Sequence, residues 1–143
     1  MSEGLFLDGC TGEKLLKRDW IVLGLGLLLC SFAHAEELVL TASVTGVDHE
    51  YANVRTSVSA MEWNQLGVAI GTRMVIEHKG TRVDATFVET YGDVATGKWL
   101  GLLEDDHLKI AISFGHACEI MGCAIGDRLT ILVMRNRDSV RAE

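Results

Sequence analysis

The 143 residues carry 20 Asp+Glu against 13 Lys+Arg, a formal charge of −7, with 48% apolar residues and no proline. Such an acidic chain is poorly suited to nucleic acid or an anionic membrane surface, which are bound through basic patches. Without proline the turns fall to Gly, Asn and Asp, which recur at strand-length intervals.

Lys14, Lys17 and Arg18 precede an apolar run from Ile21 to Phe32, and Ala33-His34-Ala35 supplies a small-x-small cleavage pattern. That run is shorter than the about 20 apolar residues that span a bilayer. The expectation is a secretory signal peptide with an upstream extension, residues 1–35, cut before Glu36. It implies a periplasmic or secreted product with no stable membrane span after cleavage. Residues 36–143 then form one domain, with 16 Asp+Glu against 10 Lys+Arg and room for one modest core.

Glu37–Val47 reads as a strand with Leu38, Leu40, Ala42 and Val44 on one face, and residues 48–53 as a polar loop. Val54–Ser59 is a short strand. Glu62–Glu77 is a helix–Gly–turn–Gly–strand unit, and His78-Lys79-Gly80-Thr81 a hairpin turn. Arg82–Glu89 alternates, with Val83, Ala85 and Phe87 on the apolar side; Tyr91–Gly97 is a loop. Trp99–Leu103 and His107–Ser113 are strands around an acidic turn, Glu104-Asp105-Asp106, expected to be solvated. His116–Met121 supplies about two helical turns capped by Gly122, and Arg128–Val133 a strand.

The last unit repeats the earlier one. A shift of 55 brings Gly67, Ala69, Ile70, Gly71, Arg73 and Ile76 onto Gly122, Ala124, Ile125, Gly126, Arg128 and Ile131, six identities in twelve positions. Two such units among many short strands predict an all-β fold, β-rich with two short helices: a small pseudo-symmetric β-barrel.

Chemical motifs are sparse. His49, His78, His107 and His116 lack metal-ligand spacing, so no metal site is expected. No G-x-S-x-G, H-E-x-x-H or P-loop occurs, and no catalytic residue is assigned. Cys118 and Cys123 admit two readings, a disulfide in an oxidising compartment or small apolar packing. Trp63 and Trp99 are expected in the core or an interface.

Five segments occur in a telling order: Asp48-x-x-Tyr51-x-Asn53-x-x-Thr56, Glu89-Thr-Tyr91-Gly-Asp93-Val, Leu108-x-Ile110-Ala111, Gly115-x-Ala117 and Gly122-x-x-x-Gly126-Asp127. This set resembles the C-terminal barrel of the S-adenosylmethionine hydroxide adenosyltransferases, relatives of the fluorinase and chlorinase. The resemblance implies a trimer whose ligand lies between this barrel and a neighbour's N-terminal domain. It also implies Asp48 on a methionine ammonium, Tyr51 in packing and Asn53 on the adenine edge. A carboxylate, an aromatic face and an amide suit those tasks.

The sequence departs from that pattern in places. The family's Asn-Ser element is Leu103-Glu104 here, so with Asp105 and Asp106 three acids stand where a carboxylate would bind. Its Phe-Gly-Asn is Tyr51-Ala52-Asn53, and the aromatic after Asn has become Arg55. No catalytic N-terminal domain is read in the sequence. The expectation is therefore a secreted stand-alone barrel acting as a small-ligand or assembly module, without a cofactor. Its expected ligand is S-adenosylmethionine or adenosine, and its partners further copies in a homo-trimer or another protein. The alternative is an adenosyl-compound hydrolase working as a trimer or with a separate N-terminal partner.

Overall fold

The computed structural model describes residues 36–135; the expected signal peptide lies outside the described residues. Seven strands close in the order β1-β2-β6-β5-β4-β3-β7. They are β1 (Glu36–Val47), β2 (Val54–Ser59), β3 (Arg73–His78), β4 (Thr81–Phe87), β5 (Trp99–Glu104), β6 (His107–Ile112) and β7 (Arg128–Arg135). Helix α1 (Ala60–Gln65) follows β2 and helix α2 (Ala117–Met121) follows β6. All strand pairs are antiparallel except β4–β5, which is parallel and needs a crossover through residues 88–98. This is the β-rich barrel with two short helices expected from the sequence.

Alternation fills the interior. Val44, Val54, Met74, Ile76, Ile110, Leu129 and Ile131 are buried in one core, with Ala85 and Phe87 from β4. Closure leaves no free sheet edge among these strands, because each backbone ladder finds a partner on both sides. Strands β5 and β6 are buried on both faces. Their outer face carries Leu100, Leu102 and Ala111, covered by Val88, Tyr91 and Val94 of the crossover.

The internal repeat has a physical counterpart. Strands β3 and β7 pair antiparallel with Ile76 opposite Ile131, Val75 opposite Leu132 and Met74 opposite Val133. Since Ile76 and Ile131 are equivalent repeat positions, a pseudo-two-fold axis passes between them. The glycine turns obey it too. Gly71 N–H donates to Phe87 O and Phe87 N–H donates to Thr72 O; Gly126 and Asp127 make the same two bonds with Val44.

Candidate functional site

The site lies on the outer face of β5–β6, where side chains point away from the barrel interior. Period-two alternation puts Lys109, Ala111 and Ser113 on one face of β6 and its continuation. Pairing sets Arg55 of β2 and Leu102 of β5 opposite Lys109. The same parity on β2 brings Asn53 to this face. The loop between β1 and β2 and the crossover between β4 and β5 then close over it.

Each segment is held by its own local bonds. In the β1–β2 loop Asp48 N–H donates to Asn53 O at 2.9 Å and Ala52 N–H to Asp48 O at 3.0 Å. Ala52 adopts a left-handed φ of 48°, and its carbonyl accepts from Cys118 N–H at 2.9 Å. Helix α2 thus ties down the loop that carries Asp48, Tyr51 and Asn53. In the crossover, the Asp93 carboxylate accepts from the backbone N–H groups of Glu89 and Thr90, fixing the turn that presents Tyr91. After β6, a Cβ on Gly115 would meet Ile112 Cγ2 at 2.5 Å, so only glycine permits the chain to turn there toward α2.

The structure brings the three residues named by resemblance to one pocket of about 360 Å³, with Asp48, Tyr51 and Asn53 in its wall. Tyr91, Glu104, Ile112, Ser113 and Phe114 complete it. A volume of this size falls within the range of small-molecule pockets. Tyr51 is half-exposed, and Phe114 is 83% exposed at a φ of 56°. Two aromatic rings therefore stand at the mouth, one on a backbone conformation that bulky residues rarely hold.

A continuous polar chain runs round the pocket. Asn53 Nδ2 donates to Tyr91 Oη at 3.4 Å, Tyr91 O–H donates to Glu104 Oε2 at 3.1 Å, and Lys109 Nζ donates to Glu104 Oε2 and, at 3.1 Å, to Asp48 Oδ2. Asp105 lies 3.5 Å from the same Nζ, and Arg55 3.9 Å from Asp105. Burial, with the neighbouring Glu104 carboxylate, pushes the Tyr91 phenol up to about 12, so it stays a donor at neutral pH. Burial opposes the Lys109 charge, yet its bonds to Glu104 and Asp48 outweigh that and raise it above the usual lysine range. Asn53 is only 6% exposed, and its amide oxygen has no hydrogen-bond partner among the described residues.

Two sequence-based readings change. Two of the three acids of the turn are compensated: Lys109 draws Glu104 and Asp105 together with Asp48 of the β1–β2 loop. Nor is the whole turn solvated, since Glu104 joins the pocket wall. Sequence reasoning does not single out Lys109, Ile112 or Phe114, and it reads Tyr91 chiefly as loop architecture. A trace of Lys109 is there to be found, because Leu108-Lys109-Ile110-Ala111 sets a charge inside an apolar run that closely follows three acids.

Cys118 and Cys123 are joined as a disulfide across the end of α2, with Cα atoms 5.1 Å apart. Trp63 is fully buried and Trp99 half-buried against the core. His78 is buried, its ring nitrogens meeting Met121 O at 3.2 Å and Asp127 Oδ2 at 2.9 Å. No group of three His, Cys, Asp or Glu is arranged for a metal among the described residues.

With known proteins the chain shares the following. The family described as SAM hydroxide adenosyltransferase C-terminal domain matches residues 42–130, more than half of the chain. The fold is similar to that of an uncharacterized conserved protein from Thermotoga maritima, at 24% identity and a TM-score of 0.61, over 65% of this chain and 35% of that one. A conserved hypothetical protein from Thermus thermophilus aligns at 24% identity with a TM-score of 0.47, over 64% of this chain and 34% of that one. The alignments thus span about a third of each solved structure's length. No curated protein matches the chain.

Proposed function

Because the chain belongs to the family of SAM hydroxide adenosyltransferase C-terminal domains, we propose that its barrel is a binding module for a small nucleoside-type ligand. One observation carries the reading: the buried Asn53 amide oxygen without a partner among the described residues. A buried acceptor left unmade costs about 1–3 kcal/mol, and an N–H from a purine edge would satisfy it. Tyr51 and Phe114 supply faces for the base, since flat aromatic rings favour stacked contact.

Catalysis is not part of this proposal. A general base must accept a proton near neutral pH, and the Tyr91 phenol, pushed up to about 12, is already protonated there. Lys109 likewise holds its proton, raised above the usual lysine range by its carboxylate bonds, while Asp48 and Glu104 each give one carboxylate oxygen to Lys109. A periplasmic or secreted location, and assembly with further copies or a partner protein, belong to the same proposal; cell fractionation and mass measurement in solution test them.

The deciding experiment is calorimetric titration of the purified protein with adenosine and S-adenosylmethionine, with chromatography of each mixture for released adenosine. Binding in the wild type that is lost in Asn53→Ala, without turnover, is the expected result. Released adenosine would replace the binding module with a hydrolase. Undiminished affinity in Asn53→Ala would remove the site from the proposal.

A further inference from the structure

We infer that Lys109 acts as a resident counter-ion that closes the acidic end of the pocket to charged ligands, so that the site selects an uncharged nucleoside. This rests on the nucleoside reading above and goes beyond it by setting the ligand's charge.

The argument begins with donors. A lysine ammonium has three N–H groups and no acceptor. Three carboxylates, those of Asp48, Glu104 and Asp105, lie within 3.5 Å of Lys109 Nζ. Two of the donors are bonded to Asp48 and Glu104 and Asp105 adds an ion pair, so a phosphate or carboxylate entering from the pocket would have to compete with three carboxylates for Lys109. Such an anion would also face three acids balanced locally by only Lys109 and Arg55.

An incoming ammonium fares no better. The pocket-lining carboxylates of Asp48 and Glu104 are those already bound to Nζ. A second ammonium would have to share them at like-charge distance from Lys109. Lys109 cannot withdraw to make room, because its side chain is 5% exposed on a strand buried on both faces. By contrast, the remaining pocket offers groups suited to a neutral ligand: the Asn53 oxygen, without a partner among the described residues, the Tyr51 and Phe114 rings, and Ile112.

The test compares adenosine, adenosine 5′-monophosphate and S-adenosylmethionine by calorimetry on the full-length wild-type protein at low salt. Adenosine should bind about tenfold or more tightly than either charged compound, the scale of one uncompensated charge contact in a half-solvated site. Added salt should narrow the gap to the monophosphate, which a purely steric exclusion would not show. In Glu104→Gln, which removes one acid and keeps an acceptor for Lys109, the monophosphate should recover part of its deficit. In Lys109→Met, S-adenosylmethionine should gain on adenosine; the wild-type ratios and Glu104→Gln suffice where that variant does not fold. Adenosine bound no more tightly than the charged compounds would overturn this inference alone. No binding by any of the three would overturn the nucleoside reading as well.

Discussion

The two repeat units share one scaffold and divide its duties unequally. In the first, β2 runs straight into α1: the Ser59 hydroxyl accepts from Glu62 N–H while the Glu62 carboxylate accepts from Ser59 N–H, a complete capping box. In the second, β6 is separated from α2 by Ser113-Phe114-Gly115-His116, and α2 has no side-chain cap. Its Cys118 N–H is satisfied instead by Ala52 of the pocket loop. The same helix position thus serves local stability in one copy and site architecture in the other. Pseudo-symmetry supplied the frame, and the inserted turn set one copy against the pocket.

The largest way to break this comparison is at the helices' buried faces. Trp63 of α1 is 1% exposed and meets the Phe87 ring at 5.1 Å, whereas α2 buries the smaller Ala117, Cys118 and Met121. Trp63→Ala should cost about 3–5 kcal/mol and Met121→Ala about 2–3 kcal/mol in urea unfolding. Equal costs would deny that α1 is the more structural helix.

Next comes Lys109, which belongs to the site rather than to either helix. Lys109→Met leaves Asp48 and Glu104 without their counter-charge and Asp105 with Arg55 alone, but these carboxylates are 31%, 39% and 64% exposed. The loss should therefore be about 2 kcal/mol, below the about 3–5 kcal/mol of a fully buried pair. The caps give a smaller contrast. Ser59→Ala should cost about 1 kcal/mol, and His116→Ala, whose side chain makes no cap bond, much less. Gly67 and Gly122, at φ of 66° and 68°, should each lose about 1 kcal/mol on change to Ala, a near-equality that measures the symmetry.

The subtlest test is acid. Hydrogen bonds from Ser59 hold Glu62 below the ordinary carboxylate range, and those from His78 and Ala124, with Lys79, do the same for Asp127. A carboxyl depressed on folding stabilises above its unfolded value of about 4 and loses that contribution as pH falls through the folded one. Acid titrations of stability should therefore flatten in Ser59→Ala and in Asp127→Asn, and more so in the double variant. Unchanged acid dependence in both would mean that these bonds are absent in solution.

The repeat and the strands were legible because they are local. Alternation in Arg82–Glu89 and the glycines at 67, 71, 122 and 126 follow from pleat geometry and positive φ, which neighbouring residues dictate. Resemblance also named Asp48, Tyr51 and Asn53, which lie close together in the chain and reach one pocket. Lys109 was hidden, and Tyr91 read chiefly as loop with pocket lining as the alternative, for the opposite reason. Asn53 and Tyr91 are 38 residues apart and Asp48 and Lys109 are 61, so only barrel closure brings them into contact. Strand pattern told where Lys109 stood, but not that its face would be roofed by the β4–β5 crossover.

By itself the sequence determined the strand order along the chain, the two short helices and their internal repeat, since each rests on short-range backbone preferences. The tertiary structure alone decided that three acids and a lysine share one corner of the pocket and that the Asn53 oxygen has no partner among the described residues. Electrostatic partnership and burial are properties of distance in space, and closing the barrel sets those distances.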